Sequence, residues 1–191
     1  MINRRLALRQ LTVLAGAATL LPSCLSPSSD EQKVAYVLKH VTLTGGQQQQ
    51  LALVCDALLP RTTTPGAHDL GLHLYVLKML DDCTPAPEQQ AFAAGLGQLD
   101  DASRQQHGQA FGASSPAQRQ AFLQNLDEQP GRHSAELASF YRTARQLTID
   151  GYTNSKYFMT KQVLYELVPG RYDGYFPVSE VNLAVPHHGQ S

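Results

Sequence analysis

Apolar residues recur along most of this chain at the three- and four-residue spacing of one face of an α-helix. No stretch keeps the alternation of apolar and polar positions that a half-buried β-strand shows. The apolar stretches are bounded by Pro, Gly or small polar residues, which start or end helices. They predict helices over residues 30–41, 47–59, 65–82, 88–106, 116–129, 134–151 and 154–167. We therefore predict an all-α fold, a single helical-bundle domain of about six or seven helices.

Individual residues set the boundaries around the third predicted helix. Pro60 ends the helix before it, because proline has no backbone N–H to donate. After a polar loop, Thr64 can cap the third helix and Pro65 can take its first position. This helix carries two apolar stripes, so we predict that it is central and covered on most sides. The helical domain is expected over residues 31–178, followed by an irregular C-terminal tail over residues 179–191.

The first 23 residues have the features of an export signal. Arg4 and Arg5 provide a positively charged start, and an uncharged apolar run of 11 residues follows from Leu11 to Leu21. A helix that crosses a bilayer needs about 20 apolar residues. We therefore expect residues 1–23 to be a cleaved signal peptide and not a transmembrane helix.

The paired arginines resemble a twin-arginine export signal. Residues 3–9 read Asn-Arg-Arg-Leu-Ala-Leu-Arg, with Ala7 at the position where such signals usually have Phe. The alternative is general secretion, for which any positively charged start is sufficient. We favour recognition by the twin-arginine translocase, which carries proteins that have already folded.

Cys24 ends a segment, Leu21-Pro22-Ser23-Cys24, that resembles a bacterial lipobox. The alternative is ordinary cleavage after Ser23, which Leu21 does not suit because small residues are preferred at that position. Acyl chains on Cys24 would hold the protein at a membrane, since each buried CH₂ contributes about 0.8 kcal/mol. We expect lipidation of Cys24, a polar tether over residues 24–30, and a location on the periplasmic side of a bacterial membrane.

Charge and composition restrict the partners of the mature chain. Removal of residues 1–23 leaves 12 basic and 16 acidic residues, a net charge of −4 with neutral His. No run of Lys or Arg remains, so the chain lacks the basic patch of a nucleic-acid-binding protein. A hydrophobic content of 42% is typical of a globular domain. We therefore expect no nucleic acid among its partners.

The two remaining cysteines are not expected to form a disulfide. Cys55 is predicted near the end of one helix and Cys83 at the far end of the next. In an antiparallel hairpin this separates them by roughly 15–20 Å along the axis, whereas a disulfide needs Cα atoms within about 7 Å. We predict two free thiols, with Cys55 in the core.

Taken in order, three parts of the chain resemble the gluconate 2-dehydrogenase subunit 3 family. They are the twin-arginine-like leader; the stretch from Leu51 through Thr64-Pro65-Gly66-Ala67 to Met79-Leu80-Asp81-Asp82; and the stretch from Phe140 through Gly151-Tyr152-Thr153 to Tyr172-Asp173-Gly174-Tyr175. The resemblance covers most of residues 1–176. Small subunits of sorbitol and other sugar dehydrogenases share this layout.

The resemblance implies a non-catalytic accessory subunit. Members of this family accompany a large flavoprotein that carries FAD and oxidises a sugar or alcohol, and a cytochrome c subunit often takes the electrons. The large subunit commonly lacks an export signal, and the small subunit is thought to carry it through the twin-arginine route and to stay attached. The family offers no catalytic, cofactor-binding or metal-binding residues to transfer to this chain.

The residues themselves agree with that implication. No Gly-x-Gly-x-x-Gly follows a predicted strand, and there is no Cys-x-x-Cys-His for covalent haem. We interpret the histidines as solvated surface residues, because none has the spacing of a metal site. The adjacent carboxylates Asp81-Asp82 and Asp100-Asp101 are interpreted as exposed polar faces of helices.

Aromatic residues supply the candidates for contact with a partner. Nine of the fourteen Phe and Tyr lie within residues 140–176, and three of them, Phe140, Tyr141 and Phe158, are interpreted as core residues. Tyr is enriched in binding surfaces because it joins apolar area to a polar group. The docking candidates are Tyr172, Tyr175 and Phe176, which local packing explains equally well. Pro65 and Gly66 are weaker candidates, because helix initiation already explains them.

Two other functions compete with the accessory subunit. One is a free-standing periplasmic helical lipoprotein that binds a small ligand or another protein. The other is an enzyme that acts without a partner, which the residues support least. A co-purifying flavoprotein would separate the accessory subunit from both.

Overall fold

The protein is described by a computed structural model over residues 36–163, 174–175 and 177. Within these residues the chain forms six α-helices, two short 3₁₀ helices and no β-strand. The predicted all-α fold is therefore confirmed. The α-helices are α1 (Gly45–Leu58), α2 (Leu72–Cys83), α3 (Ala86–His107), α4 (Pro116–Glu128), α5 (Ala135–Thr153) and α6 (Lys156–Lys161), and the 3₁₀ helices are Phe111–Ala113 and Pro130–Arg132.

Two helices begin with a reciprocal capping box. At the start of α1, the Thr44 hydroxyl accepts the N–H of Gln47, and the Gln47 side chain accepts the N–H of Thr44 at 2.9 Å. Ser115 and Gln118 make the same pair of bonds at the start of α4, where Pro116 takes the first position. These bonds satisfy backbone donors that the first helical turn leaves unpaired.

The central helix of the described bundle is α5, which contacts all five others. Its buried face includes Leu137, Phe140, Tyr141 and Ala144, at the spacing that the sequence predicts. Phe140 meets Phe92 of α3 edge to face, with ring centroids 4.8 Å apart. The prediction that the helix now seen as α2 is central was wrong, because among the described helices α2 packs substantially only on α1 and α5 and leaves Leu74 46% exposed.

Gly95 allows α3 and α5 to approach each other closely. A Cβ atom at this position would lie 2.5 Å from the Cβ of Phe140 and would also overlap the carbonyl group of Glu136. No side chain larger than hydrogen fits between these two backbones. Gly95 lowers the helix propensity of α3, but it is part of the main helix contact.

Residues 36–44 do not form the predicted first helix within the described part of the chain. Backbone groups between Tyr36 and Val41 instead form hydrogen bonds with side chains of α1 and α2. An N–H that donates to a distant side chain is not available to a helical ladder. Only Val41 of this segment's apolar positions is buried, while Val37 is exposed.

The helix predicted from Pro65 begins seven residues later, at Leu72. Residues 66–71 form turns, in which the N–H of Leu70 donates to the carbonyl of Gly66 and that of Gly71 to His68. Gly71 then takes a left-handed conformation with φ of 62°, which ends the turns and redirects the chain. The Thr64-Pro65 pair is therefore not a helix start.

The last described helix is shorter than predicted. Ser155 caps α6, which ends at Lys161, and residues 162–163 are not helical. The rest of the predicted helix, residues 164–167, lies outside the described residues. None of the helices described has both the length and the apolar content needed to cross a bilayer.

Candidate functional site

Asp81 holds the segment that leads into the helical bundle. Its side chain is buried at the end of α2, and one carboxylate oxygen, Oδ1, accepts the N–H groups of His40 at 2.7 Å and Val41 at 2.9 Å. The other oxygen, Oδ2, accepts the N–H of Lys39 at 2.8 Å. Burial alone would raise the pKa of Asp81, but these three bonds outweigh it and hold the pKa below its ordinary value of 3.8.

Gln48 of α1 forms hydrogen bonds with the same segment at an earlier residue, Tyr36. Its side-chain oxygen accepts the N–H of Tyr36 at 2.8 Å, and its amide nitrogen donates to the Tyr36 carbonyl at 3.0 Å. Gln89 supports the clamp from α3, because its amide nitrogen donates to the carbonyls of Leu80 and Asp81. We call this set of Gln48, Asp81 and residues 36–41 the entry clamp.

The interpretation of Asp81 as an exposed polar residue was therefore wrong, whereas its neighbour Asp82 is exposed as expected. The partners of Asp81 lie 40 to 42 residues earlier in the chain. Periodicity reports only local relations along one helix, so no sequence signal identifies these partners.

His40, Asp81 and Asp82 bring possible metal ligands within 4.8 Å of one another. His40 Nδ1 lies 3.1 Å from the backbone carbonyl of Asp81, so that nitrogen carries the proton and donates it. Both oxygens of Asp81 already accept backbone N–H groups. Three N–H groups therefore occupy most of the acceptor positions of the carboxylate, so the residues fit a backbone clamp better than a metal site.

The loop after α1 contains the docking candidates Pro65 and Gly66. Gly66 is buried, and a Cβ atom there would lie 2.5 Å from the nitrogen of Arg61 and 2.9 Å from the Leu59 carbonyl oxygen. Its N–H donates to the carboxylate of Asp69, which also pairs with Arg61 at 3.1 Å. Backbone packing accounts for Gly66, and Pro65 is half-buried beside it.

The aromatic candidates that the structure describes divide into buried, half-buried and exposed residues. Phe140 and Tyr141 are buried in the core, as predicted. Phe158 is not a core residue, because it is only half-buried on α6, a helix that buries none of its residues. Tyr175 is 96% exposed. Tyr172 and Phe176 lie outside the described residues, as do the export candidates Arg4 and Arg5 and the lipidation candidate Cys24.

Two histidines differ from the predicted solvated surface residues. His107 and His133 are half-buried and meet Phe122 edge-on from two directions, each with its ring centroid 6.3 Å from that of Phe122. The Nε2 atoms of both rings are buried without a hydrogen-bond partner. These rings pack as part of the junction between α3, α4 and the start of α5, a role that no spacing rule predicts.

A polar groove runs beside His133. One cavity of about 270 Å³ and another of about 280 Å³ share Ala102, Gln105, Arg132 and His133 in their walls. Ser134 and Gln98 also line the second cavity, where the Ser134 hydroxyl donates to the side chain of Gln98. Amides, a hydroxyl and a guanidinium are groups that recognise small polar ligands by hydrogen bonds.

The two cysteines have the environments that the sequence predicts. Both thiols are free, with Cys55 buried and Cys83 exposed. Burial raises the pKa of Cys55 to about 11, and its sulfur lies 3.4 Å from the Thr148 hydroxyl. Since the thiolate is the reactive form, Cys55 is a core residue and not a nucleophile.

Comparison with known proteins identifies a family. The sequence model of gluconate 2-dehydrogenase subunit 3 matches residues 46–170. That range contains five of the described helices completely and all of α1 except its first residue. Neither the curated proteins nor the solved structures compared with the chain gave a match.

Proposed function

The chain belongs to the gluconate 2-dehydrogenase subunit 3 family, and on that premise we propose that it is the non-catalytic accessory subunit of a flavin-dependent gluconate, sugar or alcohol dehydrogenase complex. It binds the large flavoprotein subunit, which carries FAD, and a cytochrome c subunit is the expected electron acceptor. The extent of the family match is the observation that supports the proposal. The match spans the helical body of the protein and not a short motif, so the similarity to the family concerns the whole domain.

The proposal gives each end of the chain a task. Arg4 and Arg5 address the chain, with its bound flavoprotein, to the twin-arginine translocase. Cys24 then anchors the complex by its acyl chains on the periplasmic side of the membrane. A route that carries folded proteins suits a subunit whose partner must acquire FAD before export. Tyr172, Tyr175 and Phe176 remain docking candidates, and the exposure of Tyr175 supports that role.

Affinity isolation from the native host tests this proposal. The full chain, tagged at its C-terminus, should bring down a flavoprotein in a fixed ratio, and the eluate should show flavin absorption bands. The same isolation from cells with the untagged chain is the control. If the tagged chain elutes without a flavoprotein, or oxidises gluconate unaided after purification, the proposal is wrong.

The polar groove favours a second candidate function, binding of a small ligand by a free-standing lipoprotein. The walls supplied by Gln105, Asn125, Arg132 and His133 can donate and accept hydrogen bonds around a polar molecule. This alternative predicts a stable monomer and no flavoprotein in the isolation experiment. Calorimetric titration of the isolated chain with D-gluconate measures such binding directly.

A further inference from the structure

One face of the described bundle leaves apolar side chains partly accessible to solvent. Ile149 of α5 is 40% exposed, and Tyr152, three residues later on the same side of that helix, is half-buried with part of its surface packed against the core. The Tyr152 ring meets Tyr157 at a centroid distance of 6.3 Å and Phe158 at 5.6 Å. We call Ile149, Tyr152, Tyr157 and Phe158 the α5–α6 face.

The short helix α6 has the composition of a covered helix but not its burial. Tyr157, Phe158 and Met159 make up half of its six residues, yet none is buried. Among the described helices, α6 packs substantially on α5 alone. These three residues are half-buried, so each keeps part of its apolar surface in solvent. Accessible apolar surface that is contiguous, unlike scattered single residues, marks sites of protein–protein contact.

Basic residues border this face. Arg142 lies two helical turns before Ile149 on the exposed side of α5, and Lys156 and Lys161 are exposed on α6. Of the nearby carboxylates, Asp127 pairs with Arg145 and Asp150 accepts a hydrogen bond from Gln146. Among the described residues, Arg142, Lys156 and Lys161 give this rim three positive charges against the one negative charge of Asp150, while the overall charge of the mature chain is −4.

We infer that the α5–α6 face is the surface that binds the flavoprotein subunit, through an apolar contact surrounded by carboxylates of that subunit. The inference rests on the proposed function. A subunit of a complex must have such an interface, and interfaces combine an apolar centre with a complementary charged rim. The basic rim and the family membership together favour an acidic protein partner.

A matched pair of exposed apolar residues allows a direct test. Ile149→Asp places a negative charge at the exposed apolar residue of the face, and Leu74→Asp makes the same change at a residue of similar exposure on α2. The Tyr75 ring of α2 contacts Gly151, which lies about 200° around α5 from Ile149. Leu74 is therefore on a helix that packs against the other side of α5.

The experiment uses the tagged full chain and its flavoprotein, isolated from native membranes, separated and recombined. We expect Ile149→Asp to weaken binding about tenfold or more, while Leu74→Asp binds like the wild type. The double variant Lys156→Glu/Lys161→Glu should weaken binding at low salt and lose most of that effect in about 0.5 M salt, where exposed charges are screened. Circular dichroism establishes that each variant is folded.

The possible results separate this inference from the proposed function. If no flavoprotein binds the wild-type chain, both are wrong. If the flavoprotein binds all variants equally, or if Leu74→Asp weakens binding as much as Ile149→Asp, only the α5–α6 face is wrong. A dimer of the isolated chain that Ile149→Asp abolishes would assign the face to a second copy and overturn the inference.

Discussion

At the scale of single residues, Asp81 is a buried carboxylate whose structural effect can be measured. It accepts three consecutive backbone N–H groups of the entry clamp. Asp81→Asn keeps the shape of the side chain but replaces one acceptor by a donor, so at least one N–H loses its partner. We expect a loss of about 1–3 kcal/mol in the free energy of unfolding, measured by urea denaturation.

Asp82→Asn is the matched control, because this neighbour is exposed. A change at such a surface position should alter stability by less than about 0.5 kcal/mol. Equal effects of the two substitutions would contradict the clamp. Proteolysis offers a second measurement, since a released entry segment should be cut between residues 36 and 44 faster in Asp81→Asn than in the wild type.

The pH dependence of the clamp follows from the lowered pKa of Asp81. A carboxyl whose folded pKa lies below its unfolded value stabilises the fold fully above the unfolded value and loses that contribution as the pH falls through the folded pKa. The stability difference between wild type and Asp81→Asn should therefore be constant near neutral pH and shrink below about pH 3.8. A difference that grows in acid, measured by urea denaturation across pH, would contradict this assignment.

At the scale of helices, two glycines of α3 should respond oppositely to the same substitution. Gly95 faces the backbone of α5, whereas Gly97 is exposed and its nearest outside atom would lie 4.0 Å from an added Cβ. Gly95→Ala should lower stability by about 1–3 kcal/mol through overpacking, in spite of the better helix propensity of Ala. Gly97→Ala should raise stability by up to about 1 kcal/mol.

Thermal unfolding of both variants measures this contrast. A stable Gly95→Ala protein would mean that α3 and α5 can separate slightly without cost, and the close crossing would then not be a constraint. Both variants carry the same Gly→Ala change in the same helix and are measured under the same solvent conditions. Any difference in the sign of the effect therefore reports the helix crossing and not propensity.

Local signals in the sequence predicted most helices and missed the features that depend on contacts between them. Ser115-Pro116 and Ser134 mark helix starts, and the structure places caps there, because capping bonds join residues three apart. Thr64-Pro65 carries a similar signal without a helix, since Gly66 must pack against the Leu59 carbonyl and Gly71 turns the chain before α2. Propensity alone does not contain those contacts.

The same reasoning explains which candidate residues the sequence could supply. Composition alone made Tyr175 a docking candidate, and that role remains a prediction. The sequence did not indicate the α5–α6 face, because Phe158 has the spacing of a core residue. An apolar residue at helical spacing is predicted to be buried, but burial requires a second element to cover it. On α6 that second element is absent from the described part of the chain, and only the structure reports this.

At the scale of the whole molecule, the proposed export function depends on two separable signals. Arg4→Lys/Arg5→Lys keeps the positive charge that general secretion needs but removes the guanidinium pair that the twin-arginine receptor reads. We expect this variant and the flavoprotein both to stay in the cytoplasm, measured by cell fractionation and flavin-dependent gluconate oxidation in each fraction.

Cys24→Ala is the control that separates anchoring from export. This variant keeps the arginine pair, so the chain and its flavoprotein should still cross the membrane. Without acyl chains, each contributing about 0.8 kcal/mol per buried CH₂, the complex should appear in the soluble periplasmic fraction. Export of the flavoprotein by the double-lysine variant would contradict the escort role and leave only binding. A Cys24→Ala complex that stays with the membrane, although mass spectrometry shows that residues 1–23 have been removed, would show that the anchor lies elsewhere in the complex.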